Sequence, residues 1–242
     1  MSVDKSPATI AGMFDAIAAR YDLLNTVLSG GLDRYWRHRA IRSLSLTGRE
    51  RLLDVCTGTA DVAVAGARAR PGAARVVGVD FAGAMLAHGA TKLRGQSLDD
   101  RVQLVRGDAM HLPVSDRSVD AVTIAFGIRN VQRPEVACAE LWRALRPGGR
   151  LAILEFGLPV VPAVRPLYLW YFHHVLPRIG RAVSRHTMAY NYLPQSVGSF
   201  PWGEGFARIL RDTGFSQVAA RPLSLGIVYL YCATKPDAAG GL

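Results

Sequence analysis

Asp54-Val55-Cys56-Thr57-Gly58-Thr59-Ala60-Asp61 is the stretch on which the fold reading turns. It closes a short apolar run that starts at Arg51 and opens a helical pattern over 61–70, so it reads as strand, tight turn and helix. Small residues fill the turn, where the backbone would have to approach a nucleotide-like ligand closely. Runs of similar strand character lie at 75–80, 102–106, 120–126 and 150–156, with helical stretches such as 82–94 and 134–145 between them. This alternation predicts a parallel sheet covered by helices on both faces. The helix over 134–145 opens on Pro134 and stops before Arg146-Pro147-Gly148-Gly149, a strong breaker. Two last runs, 217–221 and 227–233, read as a closing antiparallel pair.

The strand ends carry the chemistry. The second strand finishes in Asp80, placed to accept hydrogen bonds from both hydroxyls of a ribose. The third leads into Gly107-Asp108-Ala109, where the Asp108 carboxylate can take a bond from an adenine amine. A GxGxxG turn is missing, so nothing here predicts a cradled pyrophosphate. The turn with acidic ends on strands two and three resembles the class I methyltransferase pattern, and an acidic lining suits a cationic sulfonium. That resemblance implies S-adenosylmethionine as cofactor. It also implies a Rossmann-like α/β fold with a seven-stranded, mostly parallel sheet. Cys56 and Ala60 stand where the pattern commonly has glycine; both are small, and a slightly altered turn is expected.

The 242 residues suffice for one α/β domain with a full core. The expected organisation is an N-terminal helical cap over 10–46, a cofactor-binding core over 51–157, a helical substrate-side insertion over 158–215, closing strands over 216–235 and a flexible tail over 236–242. Cys56, Cys138 and Cys232 are odd in number and widely spaced, and no HExxH pattern occurs, so neither a disulfide framework nor a metal site is predicted. No signal peptide is legible, and no segment approaches the ~20 apolar residues that cross a bilayer. A cytoplasmic protein is expected. The net charge of +10 comes almost wholly from scattered arginines, with lysine only at 5, 92 and 235. Such charge can draw a protein to nucleic acid or anionic lipid, but a scattered arginine bias often reflects genome composition, so charge alone decides nothing.

Several further motifs are more specific. Tyr21-Asp22-Leu23-Leu24-Asn25, then Leu28-Ser29 and Trp36, resemble the N-terminal signature of the ubiquinone/menaquinone biosynthesis C-methyltransferase family. Leu24 replaces a usual Met there, and Asp33 stands where His is common. Arg143 through Leu151, continuing to Leu154-Glu155, resembles the family's second signature, with Gly157 in place of Ser. Phe126-Gly127-Ile128-Arg129-Asn130-Val131 and the stretch from His174 to Gly180 also match, so the resemblance covers nearly the whole chain. It implies C-methylation of a prenylated quinol: demethylmenaquinol, a polyprenyl methoxy-benzoquinol, or both. It carries cofactor contacts onto Thr59 with Gly58 and Asp54 in the turn, onto Asp80, onto Asp108 and Ala109, and onto Ala125, where a side-chain bond given by Ser is lost.

Methylation of a ring carbon needs a phenolate to enrich that carbon, an in-line methyl donor and a proton acceptor. Arg129 and Asn130 follow the fourth strand, at the sheet edge where ligands bind in such folds. Arginine stays protonated, so Arg129 reads as a phenolate stabiliser or water-orienting group, with Asn130 as its hydrogen-bonding partner. A structural carboxylate is the competing partner for Arg129. Tyr21 reads as closing over the methyl donor or touching substrate, or as core packing. Asp15, Asp22, Glu155, His173 and Tyr190 are candidates for the base.

The aromatic run from Pro166 to Phe172, leading into Arg178, Arg181 and Arg185, suits a helix at an anionic membrane surface, a wall of a prenyl channel, or the packing of the cap. Peripheral contact with the inner face of the cytoplasmic membrane is the expectation. The oligomeric state stays open between monomer and homodimer. A small-molecule O- or N-methyltransferase and a non-catalytic ligand-binding component of a quinone-synthesis complex are the rival readings. A nucleic-acid methyltransferase is disfavoured. The Asp/Asn-Pro-Pro-aromatic motif and the Pro-Cys nucleophile are both missing after strand four, and no nucleic-acid module is appended.

Overall fold

The structure is a computed structural model that describes residues 5–69, 75–175, 178 and 187–237. Seven strands form one sheet: β1 (Arg51–Val55), β2 (Arg75–Asp80), β3 (Val102–Arg106), β4 (Val119–Ala125), β5 (Leu145–Phe156), β6 (Ser216–Leu223) and β7 (Val228–Thr234). Their spatial order is β3-β2-β1-β4-β5-β7-β6, and only β7 runs antiparallel to its neighbours. After β3 the chain returns across the sheet to place β4 beside β1. The connections leaving β1 and β4 therefore diverge, and a crevice opens at their carboxyl ends.

Both faces of the sheet are apolar because successive residues point to opposite sides. Leu53, Val122 and Ile153 face one way, onto α6 (Pro134–Ala144) and the late helix Glu204–Asp212. Leu52, Ala121 and Ala152 face the other way, onto α3 (Leu32–Ser43), α4 (Asp61–Ala69) and α5 (Gly83–Arg94). The remaining helices are α1 (Pro7–Ile17), α2 (Tyr21–Ser29), α7 (Arg165–Trp170) with a π-turn at Tyr171–Val175, and α8 (Thr187–Ser199); Glu204–Asp212 is α9. The expected cap over 10–46 is thus two things. α1 and α2 lie over the crevice, whereas α3 belongs to the core, because Trp36, Ala40, Ile41 and Leu44 form one buried stripe at helical spacing. The tail beyond residue 237 lies outside the described residues.

The breaker at Arg146–Gly149 sits inside β5 rather than before it. Leu145 already pairs with Val119, the four following residues bulge, and pairing resumes at Arg150 with Ala121. Lys235 anchors the bulge. Its backbone exchanges hydrogen bonds with Gly148 and Gly149, while its Nζ donates to the carbonyls of Trp142 and Leu145 at 2.6 and 2.8 Å and sits 3.8 Å from the Trp142 ring centroid. Lys235→Met should therefore lower stability by about 2–3 kcal/mol in urea denaturation, because two carbonyls lose a charged donor. A change below about 0.5 kcal/mol, typical of an uninvolved surface residue, contradicts this role.

Candidate active site

The turn after β1 retains its left-handed backbone despite two non-glycine residues: φ is +55° at Cys56, +55° at Gly58 and +67° at Ala60. Side chains pay conformational strain in that region, and the packing holds them there. Asp54 lies beneath the turn, 1% exposed, accepting from Thr57 Oγ1 at 2.6 Å and Thr123 Oγ1 at 2.7 Å. Burial pushes its carboxyl from 3.8 up to about 6. Asp54 thus shapes the turn from below and ties β1 to β4. Across the crevice, the turn after β4 begins with Phe126 at φ +59°. A Cβ added to Gly127 would lie 2.3 Å from Cys56 Cβ, so the side chain gained at position 56 occupies the room that Gly127 leaves.

Asp80 ends β2 with one oxygen on the Gly58 amide (2.8 Å) and the other on the Ala82 amide (2.9 Å). Each oxygen keeps a lone pair for a hydroxyl donor. Burial raises its pKa against these backbone bonds. Asp80, Gly58, Phe81, Met85, Ala125, Gly127 and Asn130 line a cleft at the sheet edge, closed to about 30 Å³ by Phe14 and Tyr21 of the cap. An acidic hydroxyl acceptor, a glycine approach and apolar Phe81 and Met85 fit an adenosyl group. Asp108 is 38% exposed on its side chain and accepts from the Met110 amide, while the Ala109 methyl packs in the core. Neither lines the cleft as it stands.

Thr59 is committed elsewhere. Its hydroxyl donates to Asp22 Oδ1 at 2.5 Å, and Lys92 Nζ bridges Asp22 (2.5 Å) and Asp61 (2.6 Å). Arg37 extends the chain of charges from Asp61 (3.0 Å) to Asp33 (2.6 Å). α2 is thereby fastened to the cofactor turn. Asp15 fastens α1, accepting from the Ala84 amide at the start of α5 (2.9 Å).

A second, larger cavity of about 210 Å³ lies behind Tyr21 and Phe126. Its walls are mostly apolar, including Leu24, Leu28, Trp36, Phe156 and Ile227, and Phe14, Tyr21 and Phe126 are shared with the cleft. Arg129 reaches this cavity, 6% exposed, from the short helix Ile128–Asn130. Its Nη1 donates to Glu155 Oε1 at 2.8 Å and also to the Phe126 carbonyl, while its backbone amide meets Glu155 Oε2 at 3.1 Å. The competing structural carboxylate is therefore real, yet the guanidinium still borders the cavity. Asn130 is not its partner: the two diverge from a tight turn, Asn130 reaching the Phe126 carbonyl at 3.5 Å and lining the cleft instead. Tyr21 borders both spaces, hydrogen-bonded to Asn25, with its pKa raised by burial. Of the candidate bases, Asp15, Asp22 and Glu155 are already paired as described; the side chains of His173 and Tyr190 lie outside the described residues, as do Arg181 and Arg185. Among the described residues no group of three or more His, Cys, Asp or Glu could hold a metal ion. Sequence reasoning missed Tyr192, which also lines the larger cavity.

The contact between the two turns makes Gly127→Ala costly, by about 2 kcal/mol in chemical denaturation, and Cys56→Gly in the same chain should recover most of it. Equal costs in both backgrounds would contradict that contact. Asp54 gives a pH signature. Its folded pKa is raised, so its stabilising contribution is full below about pH 4 and is lost as pH rises through about pH 6. Relative to Asp54→Asn, the wild type should lose on the order of 2–3 kcal/mol across that window, read by denaturation at each pH. A difference independent of pH would refute the burial argument.

Comparison with known proteins follows the same line. The ubiE/COQ5 methyltransferase family matches residues 2–235. A ubiquinone/menaquinone biosynthesis C-methyltransferase UbiE from Syntrophotalea carbinolica is 47% identical over 226 residues, covering 93% of this chain and 94% of that protein. A demethylmenaquinone methyltransferase from Clavibacter sepedonicus is 42% identical over 234 residues, covering 97% and 93%. In fold, the chain is similar to a solved SAM-dependent methyltransferase from Aquifex aeolicus, with a TM-score of 0.61, 20% identity and coverage of 84% of this chain and 92% of that one. With its class I methyltransferase sheet order and these relatives across almost its full length, the chain belongs to the ubiE/COQ5 methyltransferase family.

Proposed function

We propose that this protein methylates a ring carbon of a prenylated quinol, using S-adenosylmethionine held in the Asp80 cleft. The observation that carries the reading is the adjoining apolar cavity, which shares Phe14, Tyr21 and Phe126 with the cleft and presents Arg129 at its wall. The names of the relatives, which cover both ubiquinone/menaquinone and demethylmenaquinone methyl transfer, support the same substrate class. When bound, the cofactor supplies an electrophilic methyl group. The protein's part is to hold an aromatic ring against the cleft, keep water away with Phe14, Trp36, Phe126 and Phe156, and stabilise charge on a ring oxygen with Arg129. Tyr21 separates the two spaces and orients the ring. Turn contacts from Gly58 and Thr59, with Asp54 shaping the turn, belong to the same reading, as do Asp108, Ala109 and Ala125 on the adenosyl side. A ligand pocket spans about 300–1,000 Å³, so Phe14 and Tyr21 must part to admit the cofactor.

Peripheral membrane contact is part of this reading. Among the described residues no helix is long and apolar enough to cross a bilayer. Leu32, Leu167, Trp170, Val160 and Leu225 are nonetheless exposed on segments that border the cavity, with Arg34 and Arg165 exposed among them. An apolar rim with basic residues suits a prenyl tail that stays in an anionic bilayer while its ring enters the protein.

The reading is tested by incubating the protein with S-adenosylmethionine and either reduced demethylmenaquinone or a reduced polyprenyl benzoquinone, followed by mass spectrometry. One added ring methyl is expected, and the ratio of products identifies the preferred ring. Arg129→Lys is the informative variant. It keeps a cation beside Glu155, whereas Arg129→Ala would leave a fully buried carboxylate unpaired, at about 3–5 kcal/mol. The lysine variant should bind S-adenosylmethionine normally and turn over about 100-fold more slowly. Wild-type turnover in the variant removes Arg129 from the chemistry; no product from either quinol with cofactor bound overturns the substrate.

A further inference from the structure

Resting on the quinol reading, we propose that Tyr192 and Arg129 form a two-donor site for an ionised ring oxygen, which makes Tyr192 a substrate-binding residue. Tyr192 comes from α8, which packs against the short helix carrying Arg129, and both side chains line the same cavity. Most polar groups of that cavity are already matched. Asp33 accepts from Ser29 and Arg37, Tyr171 donates to the Leu28 carbonyl, and Tyr21 is paired with Asn25. Arg129 and Tyr192, whose side chains line the cavity, each carry a buried donor atom, Nε and Oη, with no hydrogen-bond partner among the described residues.

Both of these atoms are donors under working conditions. Arginine has no acceptor atom and does not lose its proton. Burial pushes the Tyr192 hydroxyl up to about 12, with Arg129 opposing the shift, so the phenol keeps its proton as well. A neutral ring hydroxyl placed between two donors accepts from both but must find an acceptor for its own proton. Glu155 is fully buried and does not line the cavity, and each Asp33 oxygen already accepts a bond, from Ser29 or Arg37, so only a shared oxygen is open to that proton. An oxyanion has no such proton, and it satisfies both donors at once. The site therefore selects the form of the ring that has already lost its proton; removing that proton falls to another group.

The test is Tyr192→Phe, which deletes the hydroxyl and keeps the ring. Two probes separate donation from packing: a prenylated hydroxynaphthoquinone, which carries a delocalised ring oxyanion at neutral pH, and the same prenylated naphthoquinone without the hydroxyl. Wild type should bind the anion about tenfold more tightly than the neutral probe, and Tyr192→Phe should lose most of that preference. Affinity for the neutral probe and for S-adenosylmethionine should stay within about twofold, which also reports a folded variant. Turnover should fall about 10- to 100-fold. An unchanged preference for the anion, or an equal loss on both probes, overturns the assignment of Tyr192. Wild-type methyl transfer to the quinol is measured alongside, because its absence overturns the substrate reading instead.

Discussion

Glu155 is fully buried at the end of β5, and everything around the site is arranged so that its charge is answered. Two backbone amides, those of Arg129 and Phe156, and the Arg129 guanidinium supply the bonds. A buried carboxylate with fewer partners would be several kcal/mol less stable. The need to serve it draws the turn after β4 over the end of β5 and forces a tight backbone at Phe126. It also lays the guanidinium 5.2 Å from the centroid of the Phe156 ring, at the wall of the apolar cavity. The pair is thus both the brace of the sheet edge and the means by which Nε of Arg129 is held without a hydrogen-bond partner among the described residues.

The acidic and basic groups of the cap do a different task. Asp15 and Asp22 reach across from α1 and α2 to the start of α5 and to the turn after β1, so the two helices that close the cleft are held by polar contacts as well as by packing. Hydrogen bonds and ion pairs at a partly exposed seam are individually weak and screened by salt. That suits segments that must part for a cofactor and close again over it. The apolar contacts among Phe14, Tyr21, Ala82 and Met85 then exclude water from the closed state.

Features encoded locally were legible in the sequence. The strand runs, Pro134 at a helix start, the small-residue turn and the acidic ends of β2 and β3 depend on neighbours within a few residues, and strand positions agree to within a few residues outside the β5 bulge. What the sequence hid is apposition across the fold. Nothing near Thr59 shows that Asp22 takes its hydroxyl, nothing near Arg129 ranks Glu155 above other carboxylates, and nothing near position 56 points to Gly127. The segment 10–46 reads as one helical extension, yet the stripe of Trp36, Ala40, Ile41 and Leu44 places α3 in the core. Tyr192 carried no signal of its own: an aromatic in a helical insertion reads as packing until its hydroxyl is found buried beside a cation, with no partner among the described residues.

The most direct measurement is a crystal structure of the protein with S-adenosylhomocysteine and a prenylated demethylquinone bound together. The account predicts the adenosyl ribose on Asp80, the quinone ring in the cavity behind Tyr21 and Phe126, one ring oxygen between Arg129 and Tyr192, and the unmethylated ring carbon facing the sulfur. A ring bound outside that cavity, or one whose oxygens point away from Arg129, would contradict it.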